Sequence, residues 1–183
     1  MLMMICSLTA TAQSIPTTSV TTEVKSPPSK VDFDAFETLT KEVKEYRKDR
    51  LISLDKFLTY SKERNTVILD TRSTEMYTRK HVKGAIHLDF TDFTQTNLSR
   101  LIPSANTRIL IYCNNNFAND EINFATKMYN PKSTERKKAI TLALNIPTFI
   151  NLYGYGYKNV YELADLVSVL NIAIEFEGTD VPK

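Results

Sequence analysis

Cys113 is the residue of this chain best suited to covalent chemistry. It ends the run Arg108-Ile109-Leu110-Ile111-Tyr112-Cys113 and opens the polar stretch Asn114-Asn115-Asn116. Consecutive β-favouring apolar residues without alternation predict a strand buried on both faces. In open α/β sheets ligands bind beyond the carboxyl ends of the strands, which is where such a strand delivers its last residue. A helix is expected to start at about Ala118 to Glu121 and to run to about Tyr129. Its positive end would favour the thiolate, the nucleophilic form of cysteine. The competing reading is an inert core thiol, because cysteine is among the most buried residue types.

The elements that must position Cys113 alternate between strand and helix. An amphipathic helix with Phe33, Phe36, Leu39 and Val43 on one face is expected from Asp32 to near Asp49. Leu51-Ile52-Ser53 reads as a short strand, with Ser53 or Asp55 capping a helix through Arg64. Thr66 to Asp70 reads as a buried strand, Ser73 as the cap of a short helix, and Ala85 to Leu88 as a third strand. Thr91 to Leu101 is a helix candidate stopped by Pro103. After the Cys113 strand, Asn130-Pro131 opens a helix to about Leu144, Pro147 to Leu152 is the last strand, and Tyr157 to Leu166 the last helix. Strands separated by helices predict an α/β fold, a parallel sheet with helices on both faces.

With 183 residues and 42% hydrophobic content, the chain is long enough for one domain with an ordinary core. The formal net charge of +2 gives no argument for nucleic acid or membrane attraction. Residues 1–12 are apolar and uncharged and close on an Ala-x-Ala pattern before Gln13, which reads as a signal peptide of an exported, periplasmic or secreted protein, although a basic leading region is missing. That run is too short for a membrane span, so no stable insertion is expected. Cleavage after Ala12 would leave one cysteine and no internal disulfide. Residues 13–30 are rich in Ser, Thr and Pro and read as a flexible linker. Residues 31–50 then form an N-terminal helix, 51–168 the domain and 169–183 a C-terminal tail.

The stretch from Asp70 to Ile86 closely resembles the rhodanese signature, an Asp-x-Arg, then Glu-x-Tyr, then His, then Gly-Ala. It appears here without a gap as Asp70-Thr71-Arg72, Glu75-Met76-Tyr77, His81 and Gly84-Ala85. A cysteine-ended strand follows in the family's order, then a Leu-x-Gly segment, Leu152-Tyr153-Gly154. The resemblance covers about Leu51 to Leu166 and implies a central five-stranded parallel sheet. It also implies a sulfurtransferase in which Cys113 attacks a sulfane sulfur donor, carries the sulfur as a persulfide and passes it to a thiol acceptor, a small molecule or a protein thiol. No cofactor and no metal are implied, and no His and Cys spacing here makes a metal site.

Asn114, Asn115, Asn116, Phe117 and Ala118 occupy the positions of the family's substrate-binding loop, whose backbone N–H groups can nest an anion. Family loops commonly carry a glycine three residues after the cysteine and an arginine five after; here those are Asn116 and Ala118. Asparagine tolerates the left-handed backbone, whereas alanine cannot replace a cation. The lost arginine costs roughly tenfold or more in affinity for a small dianion, which makes thiosulfate a poor substrate. Rhodanese-related phosphatases need the same charge and are disfavoured.

Asp70, Arg72 and His81 read as supporting residues, with an Arg72–Glu75 pair fixing the next helix. Two further features each admit two readings. The Tyr153, Tyr155, Tyr157, Tyr161 cluster either fills core volume or walls the pocket. The basic segment 131–141 is either a solvated helix face or a source of the missing charge. Two functions follow: a sulfurtransferase with a persulfide on Cys113, or a catalytically reduced rhodanese-like module that binds a ligand or senses oxidants through its thiol.

Overall fold

The structure is a computed structural model and describes residues 26–126 and 143–182. Residues 26–31 have no regular structure and are exposed. From Asp32 on, the described residues belong to one compact unit.

In chain order its elements are α1 (Phe33–Lys48), β1 (Leu51–Ile52), α2 (Leu54–Ser61), β2 (Thr66–Asp70), α3 (Thr74–Arg79), β3 (His81–Val82) and β4 (Ile86–His87). Then come α4 (Gln95–Leu101), β5 (Arg108–Ile111), β6 (Phe117–Ala118), α5 (Asn145–Gly154), β7 (Val160–Leu163), β8 (Val167–Ser168) and β9 (Phe176–Glu177). Five strands form a parallel sheet in the order β1-β7-β5-β2-β4, with β5 at its centre. The α/β class and the five-stranded parallel sheet expected from sequence are both present.

The register of β5 divides the core in two. Ile109 and Ile111 pack on one face with Val43 of α1, Leu98 of α4, and Phe149, Ile150 and Leu152 of α5. Leu110 and Tyr112 pack on the other with Leu54 and Phe57 of α2 and with Phe117, Phe124 and Ile174. Because both faces are covered, β5 has no polar side and its sequence cannot alternate. Full burial of such a side chain stabilises by ~1.5–3 kcal/mol, so these residues are the main reason for the sheet's existence.

Local signals set the helix starts. Asp32 accepts from the Ala35 N–H at 2.8 Å, Ser53 from Lys56 at 3.5 Å, and Ser73 from Met76 at 3.4 Å. Each satisfies one of the orphan donors of the first turn. The expected helix from Thr91 is divided into a 3-10 turn, Phe90–Asp92, and α4, because Thr94 caps α4 by accepting from Asn97. On α1 only Val43 is buried and Leu39 half-buried; Phe33 and Phe36 of the same stripe are exposed.

Three expectations are corrected. No α-helix lies between Cys113 and residue 126: Asn114–Asn116 make a 3-10 turn and Phe117–Ala118 form β6, paired in parallel with β8. Asn119, at φ +70°, then turns the chain away from helical geometry. The last two elements are also exchanged, since Pro147 to Leu152 lies within α5, and the strand is Val160–Leu163. Pro147 sits in the first turn of α5, where a missing N–H costs nothing. Gly156, at φ +93°, closes α5 with its N–H on the Tyr153 carbonyl and that of Tyr157 on the Leu152 carbonyl. This paired closure is a strong helix terminus and calls for glycine there. The helix expected over 131–144 falls almost wholly outside the described residues, as does the basic segment 131–141. Beyond Ser168 the chain crosses to β3, where β9 pairs antiparallel with it, and Ile174 enters the core.

Candidate functional site

Cys113 follows β5 by two residues and stands at the carboxyl edge of the sheet, 5% exposed. The loop it opens is held from three sides. Asn116 ties it to itself, accepting the Cys113 N–H on Oδ1 at 2.9 Å while its own N–H donates to the Cys113 carbonyl at 3.0 Å. Asn116 Nδ2 donates to the carbonyls of Leu163 (2.7 Å) and Asp165 (3.2 Å), which moors the loop to the end of β7. A glycine here would supply none of the three side-chain bonds. Phe117 is drawn into the core against Tyr112, Phe124 and Phe176. Ala118 is half-buried in β6.

The third support is Arg72, a guanidinium with almost no solvent contact. Its Nε and Nη2 grip Asp70, with Nη2–Oδ2 at 2.7 Å, and Nη2 also donates to the Lys80 carbonyl. Its Nη1 reaches Asn114 Oδ1 at 3.3 Å and the Asn123 carbonyl at 3.0 Å. Asp70 takes a further bond from the Tyr112 hydroxyl at 2.5 Å, and that hydroxyl accepts the Val82 N–H. Burial opposes the Arg72 charge, but the Asp70 hydrogen bond and charge outweigh it and hold its pKa above the ordinary value. Burial and the Asp70 carboxylate push Tyr112 well above its ordinary value. The Arg72 partner is therefore Asp70 rather than Glu75, which lies 3.9 Å from Arg79 instead.

His81 is not brought to the thiol. Its Nδ1 bonds the Tyr77 carbonyl at 2.7 Å, its ring stacks on Tyr77 at 3.8 Å, and Nε2 is 3.7 Å from Glu177. Tyr153 and Tyr157 are core residues with their hydroxyls on Glu42 and the Ile102 carbonyl. Lys80 is 2.9 Å from Asp120, whose pKa is lowered because its bonds to Lys80 and Asn123 together outweigh partial burial. Among the described residues no cluster of His, Cys, Asp or Glu could hold a metal ion, and no helix is long and apolar enough to cross a membrane.

Sequence reasoning did not find a cavity of about 190 Å³ bordered by Asn115 and Asn116, by Asn145, and by Glu162 paired with Arg47 of α1. Its only sequence signal is Glu162, a charge inside a four-residue strand that requires a partner.

An open parallel sheet whose central strand feeds a cysteine into a tightly moored loop defines an α/β protein with a thiol at its crevice. The chain belongs to the rhodanese-like domain family, whose model matches residues 53–165. No curated protein matches the chain. Among solved structures it is similar to a rhodanese with anions from E. coli, at 19% identity over 62% of this chain and 98% of that one, TM-score 0.38. It is also similar to an EanB variant in complex with hercynine, at 19% identity over 64% and 24% of the two chains, TM-score 0.43. A Bacillus halodurans protein matches at 16% identity over 72% and 74%, TM-score 0.40.

Proposed function

We propose that the protein is a sulfurtransferase that carries sulfane sulfur as a persulfide on Cys113 and delivers it to a thiol acceptor, including a thiol on another protein. The observation that supports this is the mooring of the Cys113 loop by Arg72 and Asn116, a rigidity that an inert core thiol does not need. In the first step the Cys113 thiolate attacks the outer sulfur of a donor R–S–SH. The new Cys113 S–S bond forms as the donor's own S–S bond breaks, and R–S⁻ leaves as a thiolate with the electron pair. In the second step an acceptor thiolate attacks the outer sulfur of the persulfide and Cys113 leaves as thiolate. No net oxidant is consumed. The first N–H groups of the 3-10 turn, those of Asn114 and Asn115, have no intrahelical acceptor and are the donors available to the persulfide.

The apolar run 1–12 with its Ala-x-Ala end supports export to the periplasm or medium. Peptide sequencing of exported material tests it, with Gln13 the expected first residue.

The 5% exposure of Cys113 favours a second reading, a module that senses oxidants through a shielded thiol without turnover. Intact-mass spectrometry separates the two. Wild-type protein and Cys113→Ser are incubated with thiosulfate, polysulfide and a low-molecular-weight persulfide. Gain of one sulfur atom in the wild type only, lost on adding a thiol, is the expected result. No adduct on protein with a reduced thiol would overturn the sulfur-carrier reading.

A further inference from the structure

Two successive turns beyond β8 each carry an aliphatic side chain at the tip. In the first, the Asn171 N–H donates to the Ser168 carbonyl at 3.0 Å and the Leu170 N–H to the Ser168 hydroxyl at 3.2 Å. In the second, the Ile174 N–H donates to the Asn171 carbonyl at 3.3 Å and the Ala173 N–H to Asn171 Oδ1 at 2.9 Å. Ser168 and Asn171 are therefore the turn formers that these bonds require, yet the tips are Leu170, 78% exposed, and Ile172, 99% exposed. Such tips ordinarily take Gly, Pro, Asn, Asp or Ser, and a local rule broken at one place points to a use for the surface there. Together the two side chains expose on the order of 300 Å², the size at which an apolar patch marks an interaction site.

A second cavity, of about 180 Å³, lies beside them. Leu58 of α2, Ile68 of β2, Val82 of β3 and Ile174 give it an apolar lining, and Ala173 stands at its edge. Ile172 directly precedes Ala173, so a fully exposed aliphatic knob stands within ~3.8 Å of backbone from the rim of an apolar hole. At ~30 Å³ per water the hole holds about six waters, more room than the four carbons of an isoleucine side chain need. Within one copy, Ile172 does not fill it. The rim carries both signs of charge, with Lys83 2.6 Å from Glu175 and Lys62 exposed beside them, so a rim of the same composition is its electrostatic complement.

We propose that this face is a self-association surface: two copies of the chain meet about a two-fold axis, each inserting Ile172 into the cavity of the other. A surface that carries knob and hole side by side is complementary to itself, which is the requirement of an isologous contact. The two pinned turns hold the knob in place before contact, so little ordering is lost on association. The apolar patch is less than half of the ~800 Å² that each partner gives to a standard interface, and the dimer is therefore weak, with a dissociation constant in the micromolar range. This inference does not depend on the sulfur-carrier reading.

Sedimentation velocity of the full chain from about 1 to 200 µM tests it. The weight-average mass should climb toward twice that of the chain and no further, because a two-fold contact closes on itself. Ile172→Asp removes both knobs of the dimer, each worth at least about tenfold, and should raise the dissociation constant at least about 100-fold. Ala173→Phe keeps the knob but fills the hole and should do the same, whereas Ile172→Leu should stay within about fivefold of the wild type. Both replaced residues are exposed, so thermal unfolding at low concentration should match the wild type. A monomer at 200 µM, growth beyond the dimer, or wild-type affinity in either folded variant would each overturn the proposal.

Discussion

Replacing Arg72 with Met tests whether the Asp70–Arg72 pair is the keystone of the loop. Both side chains are almost fully buried, at 2% and 0% exposure, and the guanidinium bonds four different residues. Met fills a similar volume but leaves the Asp70 carboxylate with only the Tyr112 hydroxyl and the Arg72 backbone N–H. Breaking a buried pair by removing one partner costs ~3–5 kcal/mol, a large part of a typical total of ~5–15. At about 2–4 °C per kcal/mol for a chain of this size, Tm should fall by roughly 6–20 °C. Arg72→Lys keeps the charge but not the planar fork, and should lose about half as much. Asp70→Asn in the Arg72→Met background removes the stranded charge and should recover at least 1 kcal/mol by the double-mutant cycle, about the coupling expected of contacting residues. Urea denaturation measures the wild type, Arg72→Met, Arg72→Lys, Asp70→Asn and the double variant. A loss below about 1 kcal/mol for Arg72→Met, or strictly additive losses in the cycle, would refute the reasoning.

Two other perturbations probe the same framework. Tyr112 ionises near the ordinary tyrosine value of about 10 when unfolded and well above it when folded, so the folded state keeps the proton longer. The stability this contributes is fully present below pH 10 and falls by up to about 1.4 kcal/mol per pH unit above it. Alkaline unfolding followed by tyrosinate absorbance should therefore show a stability slope that shrinks in Tyr112→Phe, and an unchanged slope would show that Tyr112 is not the group responsible. Gly178 has φ +134°, and a Cβ there would lie 2.3 Å from the Arg79 carbonyl oxygen. Gly178→Ala should free the β3–β9 pair, seen as fast hydrogen exchange at Lys83, whose N–H donates to the Glu175 carbonyl at 2.9 Å, while β5 amides stay protected; protection at both would contradict the clash.

The elements legible in the sequence are those whose signals are local. β5 was readable because burial on both faces leaves only apolar residues, and α1, α2 and α3 because Asp32, Ser53 and Ser73 cap their own helices. The exchange of α5 and β7 shows the opposite case. Thr148, Phe149 and Ile150 are β-favouring types held in a helix by burial against the sheet, so packing overrides propensity. Glu162 looks foreign to a strand, and it is tolerated only because Arg47, 115 positions away in sequence, neutralises it. The Cys113 position was legible from its strand. The loop's true shape was not, because Asn116 is bonded to Leu163 and Asp165 in another element.

The absence of a helix N-terminus behind Cys113 changes what the loop can attract. The cations held near it are each neutralised by a partner: Arg72 by Asp70 at 2.7 Å, Lys80 by Asp120 at 2.9 Å, and Arg47 by Glu162 at 2.5 Å. Among the described residues a dianion approaching the thiol therefore meets backbone N–H groups but no unpaired cation, and these residues give no electrostatic steering that would raise its encounter rate. Neutral or weakly charged persulfides lose nothing by this. Sulfur loading from a low-molecular-weight persulfide should consequently outpace loading from thiosulfate, and its rate should change by less than about twofold between 0.05 and 0.5 M salt, a range over which exposed charges become screened. Stopped-time mass spectrometry of the Cys113 adduct measures both. A steep fall of the rate with salt, or thiosulfate as the faster donor, would mean that an uncompensated cation reaches the sulfur and that the neutral-loop argument is wrong.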